Sequence, residues 1–178
     1  MLINLSEIMS VQDKVKHIEA PFEKEVIELN GVEYKISKKS MVDLEIAHIG
    51  DRKISIQAKA EISLFIPCSR CLEDVEVNFD IDFNKKVDFR QTEDDRVNDI
   101  NEMSYITDFN LDVDLLIYGE ILLDFPMKVL CKEDCKGICD SCGRNLNKGS
   151  CDCNSQPKDP RMAVIQDIFK NFVQTDES

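Results

Sequence analysis

KISIQAKAEISLFIPCSRCLEDVEVNFDIDFNKKVDF, residues 53–89, decides how the rest of the chain is read. Ile54, Ile56, Ala58, Ala60, Ile62, Leu64 and Ile66 fall on every second position, with Ser55, Gln57, Lys59, Glu61 and Ser63 between them. Side chains alternate between the two faces of a strand, so this spacing predicts one long strand with a single buried face. Val75, Val77, Phe79, Ile81, Phe83, Val87 and Phe89 repeat the pattern against Asp80, Asp82, Asn84, Lys86 and Asp88. Between the two runs lies Pro-Cys-Ser-Arg-Cys-Leu-Glu-Asp at 67–74. The reading is a long hairpin that carries Cys68 and Cys71 at its tip, with Arg70 between them.

Shorter runs flank this hairpin. Val42, Leu44 and Ile46 alternate ahead of a Gly50-Asp51 turn, and Asn30-Gly31 between Val26/Ile27 and Tyr34/Ile36 suits a tight turn because both residues tolerate positive φ. Ile18, Ala20 and Phe22 suggest a strand, which Pro21 confines to a sheet edge. Ser6 to Met9 reads as a short helix with Ser6 as its cap. Downstream, residues 93–102 form a charged loop and Met103 to Ile106 a short strand. From Asp112 to Phe125 the spacing turns helical and apolar nearly all round, which predicts a buried helix capped by Asp112 or Asp114 and ended by Pro126. Asp159-Pro160 opens a last helix to about Val173, with Met162, Ile165, Phe169 and Phe172 on one stripe. The predicted fold is α+β: an antiparallel sheet built on the long central hairpin, one buried helix, a cysteine-rich zinc segment and a C-terminal helix. The divisions are 1–126 for the sheet with its helix, 127–154 for the zinc segment, and 155–178 for a helix packing on the main domain.

The cysteines carry the chemistry. Cys131 to Cys153 (CKEDCKGICDSCGRNLNKGSCDC) holds six of the eight. Cys139 and Cys142 have knuckle spacing, in which two sulfurs turn toward one ion, and Gly143 suits the turn that follows. Cys151 and Cys153 complete a set of four soft ligands of the kind zinc prefers. The simplest partition assigns a second set to Cys68, Cys71, Cys131 and Cys135. Spacing leaves open whether the chain holds one zinc ion or two. Full sets of four cysteines describe closed, structural sites rather than catalytic ones.

Composition narrows the function. Residues 1–130 carry 15 Lys/Arg against 27 Asp/Glu, while residues 131–178 carry 7 against 8. Such an acidic body opposes broad binding to phosphate backbones. Arg70, Lys132, Lys136, Arg144 and Lys148, with Lys128, form the local basic cluster and are the candidate RNA or partner contacts. No apolar run reaches the length of a membrane span, and no secretory leader is visible, so a cytoplasmic location is expected. The two histidines, His17 and His48, lie away from the cysteines in sequence, and no phosphate loop or nucleophile motif is present. The chain reads as a non-enzyme with no small-molecule substrate.

Several stretches resemble the YceD family, bacterial proteins linked to large-subunit ribosomal RNA accumulation. They are PCSRCLE at 67–73, EILLDFPMKVLC at 120–131, CKGICDSCGRNLN at 135–147, CDC at 151–153 and DPRMAVI at 159–165. The resemblance implies a cytosolic, non-enzymatic ribosome-biogenesis factor that acts on large-subunit rRNA or an early assembly particle, and it supplies no catalytic residues. It also draws attention to Arg70 at the hairpin tip. Two other readings stand beside it: an acidic module binding a basic ribosomal protein, and a redox sensor whose thiolates release zinc on oxidation.

Overall fold

A computed structural model describes residues 1–11, 13–90 and 105–153. The long hairpin is present as β6 (Lys53–Pro67) and β7 (Asp74–Asp88), paired along their whole length from Lys53↔Asp88 to Pro67↔Asp74. The other edge of β6 is shared. β5 (Met41–Gly50) pairs with its first half and β4 (Val32–Lys39) with its second. Between them the Ser40 N–H donates to the Glu61 carbonyl at 2.9 Å, and the Ser40 hydroxyl accepts the Glu61 N–H at 2.9 Å. Residues 32–50 therefore run as one bent strand. β2 (Val15–Pro21) lies outside β5, and β3 (Val26–Leu29) lies outside β4. The sheet is thus a meander of four long segments whose order in space is their order in the chain.

Both expected tight turns are there. Asn30 and Gly31 have φ of 53° and 77°. The second is shifted by one residue: Gly50 pairs with Lys53, so Asp51 and Arg52, at 54° and 60°, form the two-residue loop. Positive φ at both central positions matches the right-handed twist of the flanking strands. Pro21 closes β2 at the sheet edge, as its missing N–H requires.

The apolar face of the sheet supplies Val42, Leu44, Ile46, Ile54, Ile56, Ile62, Leu64, Phe79 and Ile81 to one core. Helix α2 (Val113–Leu123) covers that face, with every residue except Leu123 buried or half-buried. Asp112 caps it, accepting the N–H groups of Asp114 and Leu115 at 3.0 and 3.2 Å. Tyr118 donates its hydroxyl to the Glu28 carbonyl, and Phe125 packs on the rings of Tyr34 and Phe79. Lys85, the one charge on the apolar face of β7, meets Glu120 at 2.5 Å.

A small second sheet joins β1 (Leu2–Asn4), β9 (Asn110–Asp112) and β8 (Ile106–Thr107). The short strand expected to end at Ile106 meets β8 there, and the other two strands were not expected from sequence. Helix α1 (Ser6–Met9) is where it was expected, with a different cap. Leu5 holds the cap position, and Asn4 Oδ1 accepts the Ser6 N–H at 2.9 Å. Met103 and the charged loop 93–102 lie outside the described residues, as does the C-terminal helix. Among the described residues no helix is long and apolar enough to cross a membrane.

Candidate metal centre

At its tip the hairpin turns through six residues. Cys68 donates its N–H to the Glu73 carbonyl at 2.8 Å and accepts the Leu72 N–H at 3.0 Å. The turn faces both sulfurs the same way. Beyond α2 the chain returns to this tip: the Ser69 N–H bonds the Val129 carbonyl, and the Ser69 hydroxyl accepts the Val129 N–H. That hook delivers Cys131 and Cys135.

Two tetracysteine sets result, each with its four sulfurs within 4.8 Å of one another. The inner set is Cys68, Cys71, Cys131 and Cys135; all but Cys131 are buried. The outer set is Cys139, Cys142, Cys151 and Cys153, at the surface. The Cys68–Cys135 and Cys71–Cys131 sulfur distances are 3.8 and 3.5 Å. A disulfide needs about 2.05 Å, so these are free thiols. Four sulfurs held tetrahedrally about 2.3 Å from one zinc ion lie roughly 3.8 Å apart, which the inner set matches. Each set can hold a metal ion.

Electrostatics prepares the sites unevenly. Burial opposes ionisation of Cys68, yet the N–H groups of Arg70, Cys71 and Cys131 point at its sulfur and bring its pKa down to about 6. The N–H groups of Cys142 and Ser141 do the same for Cys139, also to about 6. Cys131 is pushed up to about 12 by desolvation of its sulfur and by the thiols around it. Cys153 reaches about 12 as well, first through Cys142. Burial also opposes ionisation of Cys135, yet the Asn147 amide and the Gly137 N–H lower its pKa. The inner set thus holds two sulfurs that ionise readily, Cys68 and Cys135, and the outer set holds Cys139. A bound cation would favour the thiolate form of the raised ones.

The five basic candidates are all exposed, and the structure places four of them in local contacts. Arg70 donates to the carbonyls of Cys135 and Glu133 at 2.9 and 3.4 Å, pinning the tip to the cysteine segment. Gly137 lies so close that an added Cβ would stand 3.1 Å from the Arg70 carbonyl oxygen. Arg144 donates to the Ser150 carbonyl, Lys132 stands 3.8 Å from Asp134, and Lys148 pairs with Glu73. Lys136 and Lys128 are exposed on the same segment. Sequence reasoning missed Ser69, Glu73, Asn145 and Asn147, polar residues of ordinary loop type that carry no spacing signal.

Together these features define a class: an antiparallel sheet protein whose hairpin tip and a later cysteine segment join in paired tetracysteine sites. The chain belongs to the YceD family, described as large ribosomal RNA subunit accumulation protein, whose model matches residues 55–169. It is 29% identical over 133 residues to the uncharacterized protein YlbN of Bacillus subtilis (strain 168), covering 74% of each chain. It is 31% identical over 64 residues to the large ribosomal RNA subunit accumulation protein YCED homolog 1, chloroplastic, of Arabidopsis thaliana. That match spans 36% of this chain and 20% of the plant protein. No solved structure matches.

Proposed function

We propose that the protein is a non-enzymatic, cytoplasmic ribosome-biogenesis factor supporting accumulation of large-subunit (23S) rRNA, through contact with that RNA or an early assembly intermediate. Zinc in both tetracysteine sets is the scaffold. It would lock the segment 127–154 to the hairpin tip of the sheet body 1–126 and fix the surface that segment presents. The observation that carries the reading is one of placement. In a YceD chain with an acidic body, exposed Lys128, Lys132, Lys136, Arg144 and Lys148 gather on the cysteine segment beside Arg70. A tetrathiolate zinc carries about −2, so these cations also offset the sites themselves.

Ultraviolet crosslinking of the tagged protein in its own cells, with sequencing of attached RNA, tests direct contact. The expected result is a sharp peak on large-subunit rRNA that falls in a Lys128→Ala/Lys132→Ala/Lys136→Ala variant. Those three are the informative residues, because Arg70, Arg144 and Lys148 also hold the segment together. No enrichment over an untagged control overturns direct RNA contact.

A second reading rests on the face of the large sheet opposite its apolar core face, which no described residue covers. Glu19, Asp43, Glu45, Glu61, Asp80 and Asp82 are exposed there around Lys59. That charge suits a basic ribosomal protein, and association that survives ribonuclease treatment would favour it.

A further inference from the structure

The loop between Cys142 and Cys151 belongs to the outer set by its ends and to the inner set by its middle. Asn147 donates from Nδ2 to the sulfur of Cys135 at 3.2 Å. The side chain is held for this on every side. The same Nδ2 donates to Asn145 Oδ1 at 3.0 Å, and the Asn147 N–H reaches that oxygen at 2.9 Å. Asn147 Oδ1 accepts the Lys136 N–H at 2.9 Å. The loop itself is laid along the cysteine segment by an Ile138↔Asn145 bridge and by the Leu146 N–H on the Gly137 carbonyl at 2.9 Å. Lys148, next in sequence, pairs with Glu73 at the hairpin tip.

A hydrogen bond aimed at a ligand sulfur favours its thiolate form and holds it in orientation, and removing such a partner typically weakens a metal site 10- to 100-fold. For Cys135 that partner is available only while the loop is folded around it. Cys142 and Cys151, ligands of the other site, tether the two ends of that loop.

We propose that Asn147 is a positioning residue that couples the two metal sites. An ion in the outer set orders the loop, the loop delivers the amide of Asn147 to Cys135, and the inner set binds its own ion more tightly. The inference rests on the reading that both sets bind zinc. Because coupling between two binding events is reciprocal, occupancy of the inner set tightens the outer one by the same factor.

The test uses the full chain, zinc competition against a chromophoric chelator, and native mass spectrometry to count ions. Asn147→Asp keeps the oxygen that Lys136 needs but removes the donor at the sulfur. It is expected to lower inner-site affinity about 10- to 100-fold. A Cys139→Ser/Cys142→Ser variant, which disables the outer set, is expected to lower it by the same factor. The combined variant should be no weaker at the inner set than either parent. In cobalt-loaded protein, the sulfur-to-metal charge-transfer band of the inner site should shift in Asn147→Asp, a change that a merely structural role would not produce. Unchanged inner-site affinity in either parent variant, or losses that multiply in the combination, overturns the coupling. A wild-type chain that takes up fewer than two ions overturns the two-site reading beneath it, and the ion count tells that failure from the other.

Discussion

Leu72 and Gly143 stand at the same point of one backbone turn used twice. Each follows a Cys-x-x-Cys pair with positive φ, 62° and 71°, and each donates its N–H to the carbonyl of the first cysteine, at 3.0 and 2.8 Å. Each pair's first cysteine then donates to the residue after the turn, Cys68 to Glu73 and Cys139 to Arg144. The inner site uses a leucine where the backbone asks for glycine. A left-handed conformation costs an L-residue about 1–2 kcal/mol, and the Leu72 side chain is largely exposed. Leu72→Gly is expected to raise stability by about 1 kcal/mol, and Gly143→Leu to lower it by a similar amount, read as shifts in denaturant midpoint. A less stable Leu72→Gly protein would show that the leucine side chain contributes more than its backbone strain costs.

Metal removal should separate the two parts of the chain. The core of the sheet and α2 contains none of the cysteines, whereas residues 127–153 contribute few residues to that core. Structural zinc is worth about 10–16 kcal/mol of apparent binding energy in small peptides. Cys139→Ser or Cys142→Ser is therefore expected to expose the segment after Cys135 to protease while the sheet stays resistant. Chelation should extend cleavage toward residue 127. Limited proteolysis with mass mapping checks both, and intact resistance in both variants would remove the structural role assigned to zinc.

The Lys85–Glu120 pair ties β7 to α2, with side chains 25% and 14% exposed. The Lys85 ammonium also lies 5.4 and 5.5 Å from the ring centres of Phe83 and Tyr105. Removing one partner of a buried pair leaves the other charge without its counterion, at a cost of about 3 kcal/mol. Lys85→Ala should show that loss in chemical denaturation. Lys85→Met with Glu120→Leu together should recover most of it.

Glu76 reaches across β6 to bond the Ser37 hydroxyl at 2.8 Å and Lys38 at 3.0 Å. Those two partners hold its carboxyl below the ordinary value of 4.5. A group whose folded pKa is lowered adds stability above its unfolded pKa and loses it as pH falls through the folded one. Between about pH 5 and pH 3 the wild type should lose stability more steeply than Glu76→Gln. Near neutrality the Gln variant should be the weaker by a constant offset. Parallel pH–stability curves for the two proteins would contradict this.

How much could be read from residues alone followed the length of the repeating pattern. The run from Ile54 to Phe89 repeats often enough for its period of two to be unmistakable, and Asp112 caps its helix where an acidic residue precedes an apolar run. Three-residue strands such as Leu2–Asn4 and Asn110–Asp112 are too short to show any period. The single bent strand from 32 to 50 was hidden because the break at Ser40 interrupts its alternation. The cysteine sets presented a different difficulty. Cys139, Cys142, Cys151 and Cys153 are close in sequence, but the inner set joins residues 60 or more apart, and the Ser69–Val129 hook and the Arg70 bonds show how they meet. Arg70 was marked by its place between two cysteines, and its role in pinning Cys135 depends on a carbonyl direction that no spacing encodes.

The meander and the inner site also set an order of events during synthesis. Each long segment of the sheet pairs with the one made just before it, so the sheet can form as the chain emerges. Cys71 must wait for Cys131, 60 residues later. At about 5–20 residues per second, Cys131 follows Cys71 by about 3–12 s, and the hairpin itself is completed at Asp88 within that interval. Until Cys131 and Cys135 are made, the inner set has only two of its four sulfurs, so its completion is timed by translation itself.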